Sequence, residues 1–114
     1  GPRHPNASLD RPIERPVQAL LGRMTARLEP DERQVFRVAF QEHRADLRAA
    51  REEVKIARQK LRRILNADRF DREALDAAFA DLRARTNAFQ AVLQGAIADA
   101  AESLSPEARR RLAD

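Results

Sequence analysis

The sequence predicts an all-α chain: a long antiparallel helical hairpin with short flanking helices at its N- and C-terminal ends, expected to form a homodimer. Three observations carry this. The chain is rich in Ala, Arg, Leu, Glu and Asp and has only 3 Gly in 114 residues, a composition suited to long helices. Two long stretches repeat apolar or small residues in steps of four and three, the spacing of a heptad seam. A short polar turn separates them. A chain of this length is one domain at most, and its modest core favours help from a second copy.

Residues 1–15 carry Pro2, Pro5 and Pro12 among scattered charges and read as a flexible leader; residues 16–114 read as a single helical-hairpin domain. The opening Gly1-Pro2 looks like a cleavage scar, so loss of an upstream export signal or membrane anchor is expected. Pro16 suits a first helical position. Val17, Leu20, Leu21, Met24 and Leu28 follow at helical spacing, which predicts a short amphipathic helix running up to Pro30.

Pro30 also starts the next predicted helix, with Glu29 at the cap and Asp31 and Glu32 at the positive end of the dipole. No Pro or Gly interrupts from there to Asn66. Phe36, Phe40, Leu47, Ala50, Val54, Ala57, Leu61 and Ile64 form its seam, and His43 fills the remaining slot. Asp71 then caps a second long helix, and Phe70 is placed to staple onto Leu75. The second seam is Leu75, Phe79, Leu82, Thr86, Phe89, Leu93, Ala96 and Ala100. Ser105 caps a last short helix with Pro106 at its first position.

Folding the seams together about the turn sets Leu61 by Phe79, Ala57 by Leu82, Ala50 by Phe89, Phe40 by Ala100 and Phe36 by Leu104. Large residues mostly meet small ones, as interdigitation requires. A stripe of small residues beside the second seam, Ala74, Ala78, Ala88, Val92 and Gly95, is expected to be covered by the first helix or by a second hairpin, the first helix being the simpler cover.

Charge and chemistry narrow the function. The 22 basic residues outnumber the 18 acidic ones, and the net charge of +4 favours anionic partners without choosing among them. The absence of Cys excludes disulfides and thiolate metal sites. No apolar run approaches a membrane span. The 3 Ser have no base at a spacing that would make a nucleophile, and neither Glu-x-x-His nor His-Glu-x-x-His occurs, so no enzyme is expected.

His43, with Glu42 and Asp46 nearby, is a candidate for a weakly held divalent metal or a pH switch. The competing reading is a polar seam residue that fixes register, because one His without a second ligand rarely makes a site. His4 and Met24 would add ligands only if the leader folded back. No other cofactor is expected.

Arg44, Arg48, Arg51, Lys55, Arg58 and Arg62 lie one position after the seam and form a basic stripe. Such a stripe is either a solvated face or a surface for acidic or unfolded protein segments. Nucleic acid is disfavoured as a partner, because the Phe residues lie mostly on the seams and none interleaves with the stripe.

Two six-residue stretches punctuate the open end of the hairpin. Leu28-Glu29-Pro30-Asp31-Glu32-Arg33 and Leu104-Ser105-Pro106-Glu107-Ala108-Arg109 share the pattern Leu-x-Pro-acid-x-Arg, with Leu28, Pro30, Arg33, Leu104, Pro106 and Arg109 in common. With the Phe70-Asp71 turn and the Ala/Arg-rich helix between them, the chain from about residue 17 resembles the heavy-metal resistance and sensor proteins of the bacterial periplasm, relatives of the CpxP/Spy chaperones. Glu32 and Ala108 stand where that family's motif has Gln, and Glu29 and Ser105 where it has Thr.

The resemblance implies a non-catalytic periplasmic stress protein, either free or the soluble part of a membrane-anchored chain. It would act by binding a protein client or a membrane signalling partner. Nickel–cobalt sensors of this superfamily hold metal through His, Met and Glu, whereas Ala96 and Ala100 stand here at the sensors' His and Met positions. Two other readings stay open: a Spy-like chaperone that holds unfolded clients on the basic stripe, and a cytoplasmic helical protein associated with nucleic acid. An upstream signal peptide would separate them.

Overall fold

The computed structural model describes residues 15–113. The predicted leader, apart from Arg15, lies outside them, and so does His4. Five helices follow in order: α1 (Arg15–Met24), α2 (Pro30–Gln41), α3 (Arg44–Asn66), α4 (Arg72–Glu102) and α5 (Pro106–Leu112). Among the described residues there is no strand. One arm of the hairpin is α2 followed by α3, the other is α4, and α1 and α5 close the open end. The result is elongated and thin, 57 × 39 × 18 Å.

Helix α1 stops at Met24, several residues before Pro30. The Thr25 hydroxyl donates to the Leu21 carbonyl at 2.7 Å. The Thr25 N–H uses the same carbonyl at 2.9 Å, and the Leu28 N–H then turns back to the Thr25 carbonyl at 3.1 Å. A hydroxyl bonded into the last turn in this way competes with helix continuation. Leu28 therefore enters the core from a turn.

The first arm is not one continuous helix. It breaks at Glu42 and His43, where the His43 N–H bonds Phe40 O at 3.0 Å, a tighter i→i−3 contact. His43 has φ −94° and ψ 5°, at the edge of the helical region. No Pro or Gly marks this place. The only local signal is the polar ring in a heptad slot otherwise filled by apolar side chains.

The main core sits at the open end. Val17, Leu28, Phe36, Phe40, Leu47, Ala96, Ala100, Leu104 and Ala108 form one buried cluster drawn from all five helices and from the α1–α2 and α4–α5 turns. The Phe36 and Phe40 rings are stacked, with centroids 6.3 Å apart and planes at 12°. Ala96 and Ala100, both 0% exposed, leave the room these rings need. Further along the hairpin Val54, Ala57 and Ala78 are buried. Closer to the turn the chain has only half-buried residues such as Leu61, Ile64, Ala74 and Leu75.

The second seam drifts. Ala78 is buried at 3% while Phe79, the expected seam residue, is 41% exposed. A strict heptad advances 3.5 residues per turn and an α-helix 3.6, so a long, little-supercoiled helix slips about 20° per heptad. Near Ala96 and Ala100 the expected seam is correct; some three heptads earlier the buried line has moved onto Ala78. Phe70 also departs from expectation. It is 61% exposed, so it forms no buried staple with Leu75. The small-residue stripe is covered only in part: Ala78 is buried, but Ala88 and Gly95 are exposed.

Candidate functional site

The two Leu-x-Pro-acid-x-Arg stretches are helix starts that meet at the open end. In each, the Leu is a core residue: Leu28 is 3% exposed and Leu104 8%. In each, Pro occupies the first helical position, Pro30 in α2 and Pro106 in α5, where no N–H is needed. In each, the Arg N–H closes the first helical turn, Arg33 on the Glu29 carbonyl and Arg109 on the Ser105 carbonyl, both at 2.9 Å. The Arg33 side chain adds a bond to the Leu28 carbonyl at 2.7 Å, which ties the motif to its own start. Arg109 is exposed.

The capping chemistry differs between the copies. Glu32 accepts from the Glu29 N–H at 2.8 Å. In the second copy the Ser105 hydroxyl accepts from the Ala108 N–H at 3.2 Å. Just upstream, the Ser103 hydroxyl donates to the Ala100 carbonyl at 2.5 Å. Both described serines are thus committed to backbone groups at helix ends.

An ion pair joins the first motif to α5. Arg111 Nη2 reaches Glu32 Oε1 at 2.6 Å and Oε2 at 2.7 Å. The Glu29 N–H, followed by the Arg111 hydrogen bond, holds the Glu32 carboxyl below its ordinary value. The same bond from the other side raises the Arg111 guanidinium. Sequence reasoning missed this pair, since it singled out Arg109 and the partner is two residues further on. The usable signal was the second oxygen of Glu32, left over once its cap bond is made.

His43 lies where the first arm bends. Its Nε2 is 2.8 Å from Asp99 Oδ2 of α4. Glu42 is the C-terminal cap of α2, Asp46 stands in the first turn of α3, and both are exposed. The carboxylate on the ring is therefore Asp99, a residue the sequence did not single out. Among the described residues no three or more His, Cys, Asp or Glu side chains gather as a group that could hold a metal ion.

The basic stripe occupies one flank of α3. Arg51, Lys55, Arg58 and Arg62, with Gln59, line a shallow groove of about 220 Å³. Arg44 continues the line and is exposed; Arg48 and Arg51 are half-buried. The opposite flank is closed by Glu53, which takes Arg85 of α4 at 2.7 Å. Phe79 follows Ala78 on the side of α4 turned away from Arg85. Phe79 is 41% exposed.

Helix ends pinned to each other, a thin two-armed scaffold and a cationic flank define a helical-hairpin protein. The chain belongs to the heavy-metal resistance family, whose model matches residues 1–111. No curated protein and no solved structure matches it. Among the described residues no helix is long and apolar enough to cross a membrane.

Proposed function

We propose that this protein is a non-catalytic periplasmic stress protein of heavy-metal resistance that works by binding protein. The observation that carries this is the cationic groove of Arg51, Lys55, Arg58, Gln59 and Arg62 on the flank that the Glu53–Arg85 pair leaves open. Lys55, Arg58 and Arg62 on one helical line hold a positive potential over about a Debye length, 8–10 Å at ordinary salt. That potential suits an acidic segment of an unfolded client or of a signalling partner.

Membership of the family supports the metal-resistance role, and the two described serines, tied up at helix ends, fit a protein without covalent catalysis. The test is light scattering from a chemically unfolded acidic protein as it aggregates. Wild type should slow the aggregation, less so as salt is added. Lys55→Glu with Arg58→Glu should abolish the effect while helicity stays at the wild-type level. Equal suppression by both proteins, or by neither, would sink the proposal.

A further inference from the structure

We propose that the closed end of the hairpin is a docking tip for an anionic lipid surface. The exposed large apolar side chains of the described residues are Val35, Val38, Ile56, Leu65, Phe70 and Phe79. Phe70 is the most exposed, at 61%, and Leu65 and Val38 follow, each at 55%. Phe70 and Leu65 belong to the closed end: Leu65 is in the last turn of α3, and Phe70 immediately precedes the cap of α4.

The exposure of Phe70 does not come from a poorly made turn. The Asp71 carboxylate caps α4 by accepting from the Ala74 N–H at 3.0 Å. The turn is built, and it holds its one aromatic ring outwards.

Charge surrounds the same place. From Lys60 to Arg72 the chain has five cations, Lys60, Arg62, Arg63, Arg69 and Arg72, against Asp68 and Asp71. Asp71 is occupied as a cap, and Arg72 pairs with Asp76 at 3.1 Å. Arg62 and Arg63 sit near the carbonyl end of α3, which favours cations, and their charge faces solvent.

Size decides the kind of partner. A Phe and a Leu on a convex tip bury a few hundred Å² at most, well under the roughly 1,000 Å² that a specific protein interface needs. A lipid surface sets no such threshold. It deforms around a protruding ring, and basic side chains remain among the headgroups while their stems lie along apolar chains. Anionic headgroups attract each Lys or Arg held near the surface, so the tip's cations add to its apolar contact. The acidic-protein groove on α3 and the lipid tip share only Arg62, and the variants that test them change different side chains, so either assignment can fail alone.

The test uses the full chain and co-sedimentation with two kinds of vesicle: phosphatidylglycerol mixed with phosphatidylethanolamine, and phosphatidylcholine alone. Wild type should bind the anionic vesicles and leave the neutral ones. Leu65→Ser with Phe70→Ser, and separately Arg63→Glu with Arg69→Glu, should each weaken binding by about tenfold or more. Val38→Ser, an exposed apolar change elsewhere, should bind as wild type. The chain has no Trp, so the Phe70→Trp variant carries a single reporter whose emission should shift to the blue on the anionic vesicles. No binding by wild type, equal binding to neutral vesicles, full binding by the Leu65/Phe70 variant, or an unshifted reporter would each overturn the proposal.

Discussion

Arg111 closes on both carboxylate oxygens of Glu32 across 79 residues of chain, and the same carboxylate caps α2 through the Glu29 N–H. One side chain therefore starts a helix and holds another helix against it.

This pairing makes the open end acid-sensitive. The folded-state pKa of Glu32 is depressed, so its contribution is fully present above the unfolded value and is lost as pH falls through the lower folded one. Glu32→Gln removes the charge. The variant should melt below wild type at neutral pH, and the two melting curves should converge as acid protonates Glu32. Circular dichroism melts from about pH 7 down to about pH 3 would show this; a gap that stays constant with pH would contradict it.

The core and the drifting seam predict unequal costs for two phenylalanines. Phe40 is 1% exposed, and Phe40→Ala should cost about 3–5 kcal/mol. Phe79 is 41% exposed, and Phe79→Ala should cost less than about 1 kcal/mol. Denaturant unfolding of the two variants is the check.

Gly95 lies inside α4, and a Cβ added there would meet nothing within 4 Å. Gly95→Ala should therefore stabilise the isolated chain by about 0.5–1 kcal/mol through helix propensity alone. Destabilisation that grows with protein concentration would instead reveal a second copy packed on this stripe.

His43 and Asp99 are two groups, and a tight site for a transition metal wants more. Titration calorimetry with nickel in a non-chelating buffer should show no submicromolar binding, and His43→Ala should not alter the isotherm. Tight binding abolished by that change would mean that ligands gather on His43 from a partner chain.

The hairpin itself was legible because its periodicity is strong where it matters most. Phe36 and Phe40 fall on the heptad next to Pro30, and Ala96 and Ala100 fall opposite them, so the open-end core follows from spacing alone. Phe79 was misread because a 3.5-residue repeat was extended along a helix that keeps 3.6. The break at Glu42–His43 carries no Pro or Gly and so had no ordinary marker. The Glu32–Arg111 pair depends on the angle at which α5 docks. From sequence, Arg109, Arg110 and Arg111 are equally eligible. The cationic stripe was readable as a line of residues, but the groove on α3 depends on how those side chains are arranged, which spacing alone does not give.

The uneven placement of buried residues has a mechanical consequence. The molecule resembles a tuning fork clamped at its handle: Phe36, Phe40, Ala100 and Leu104 fix one end, and beyond Ala57 and Ala78 the prongs touch only through half-buried side chains. Local opening costs least where few apolar contacts are lost. Amide exchange should therefore be slowest around Phe40 and Ala100 and should quicken steadily towards Asn66 and Arg72. The prongs would open and reclose many times while the handle stays shut, so the free end samples shapes that the clamped end never has to adopt.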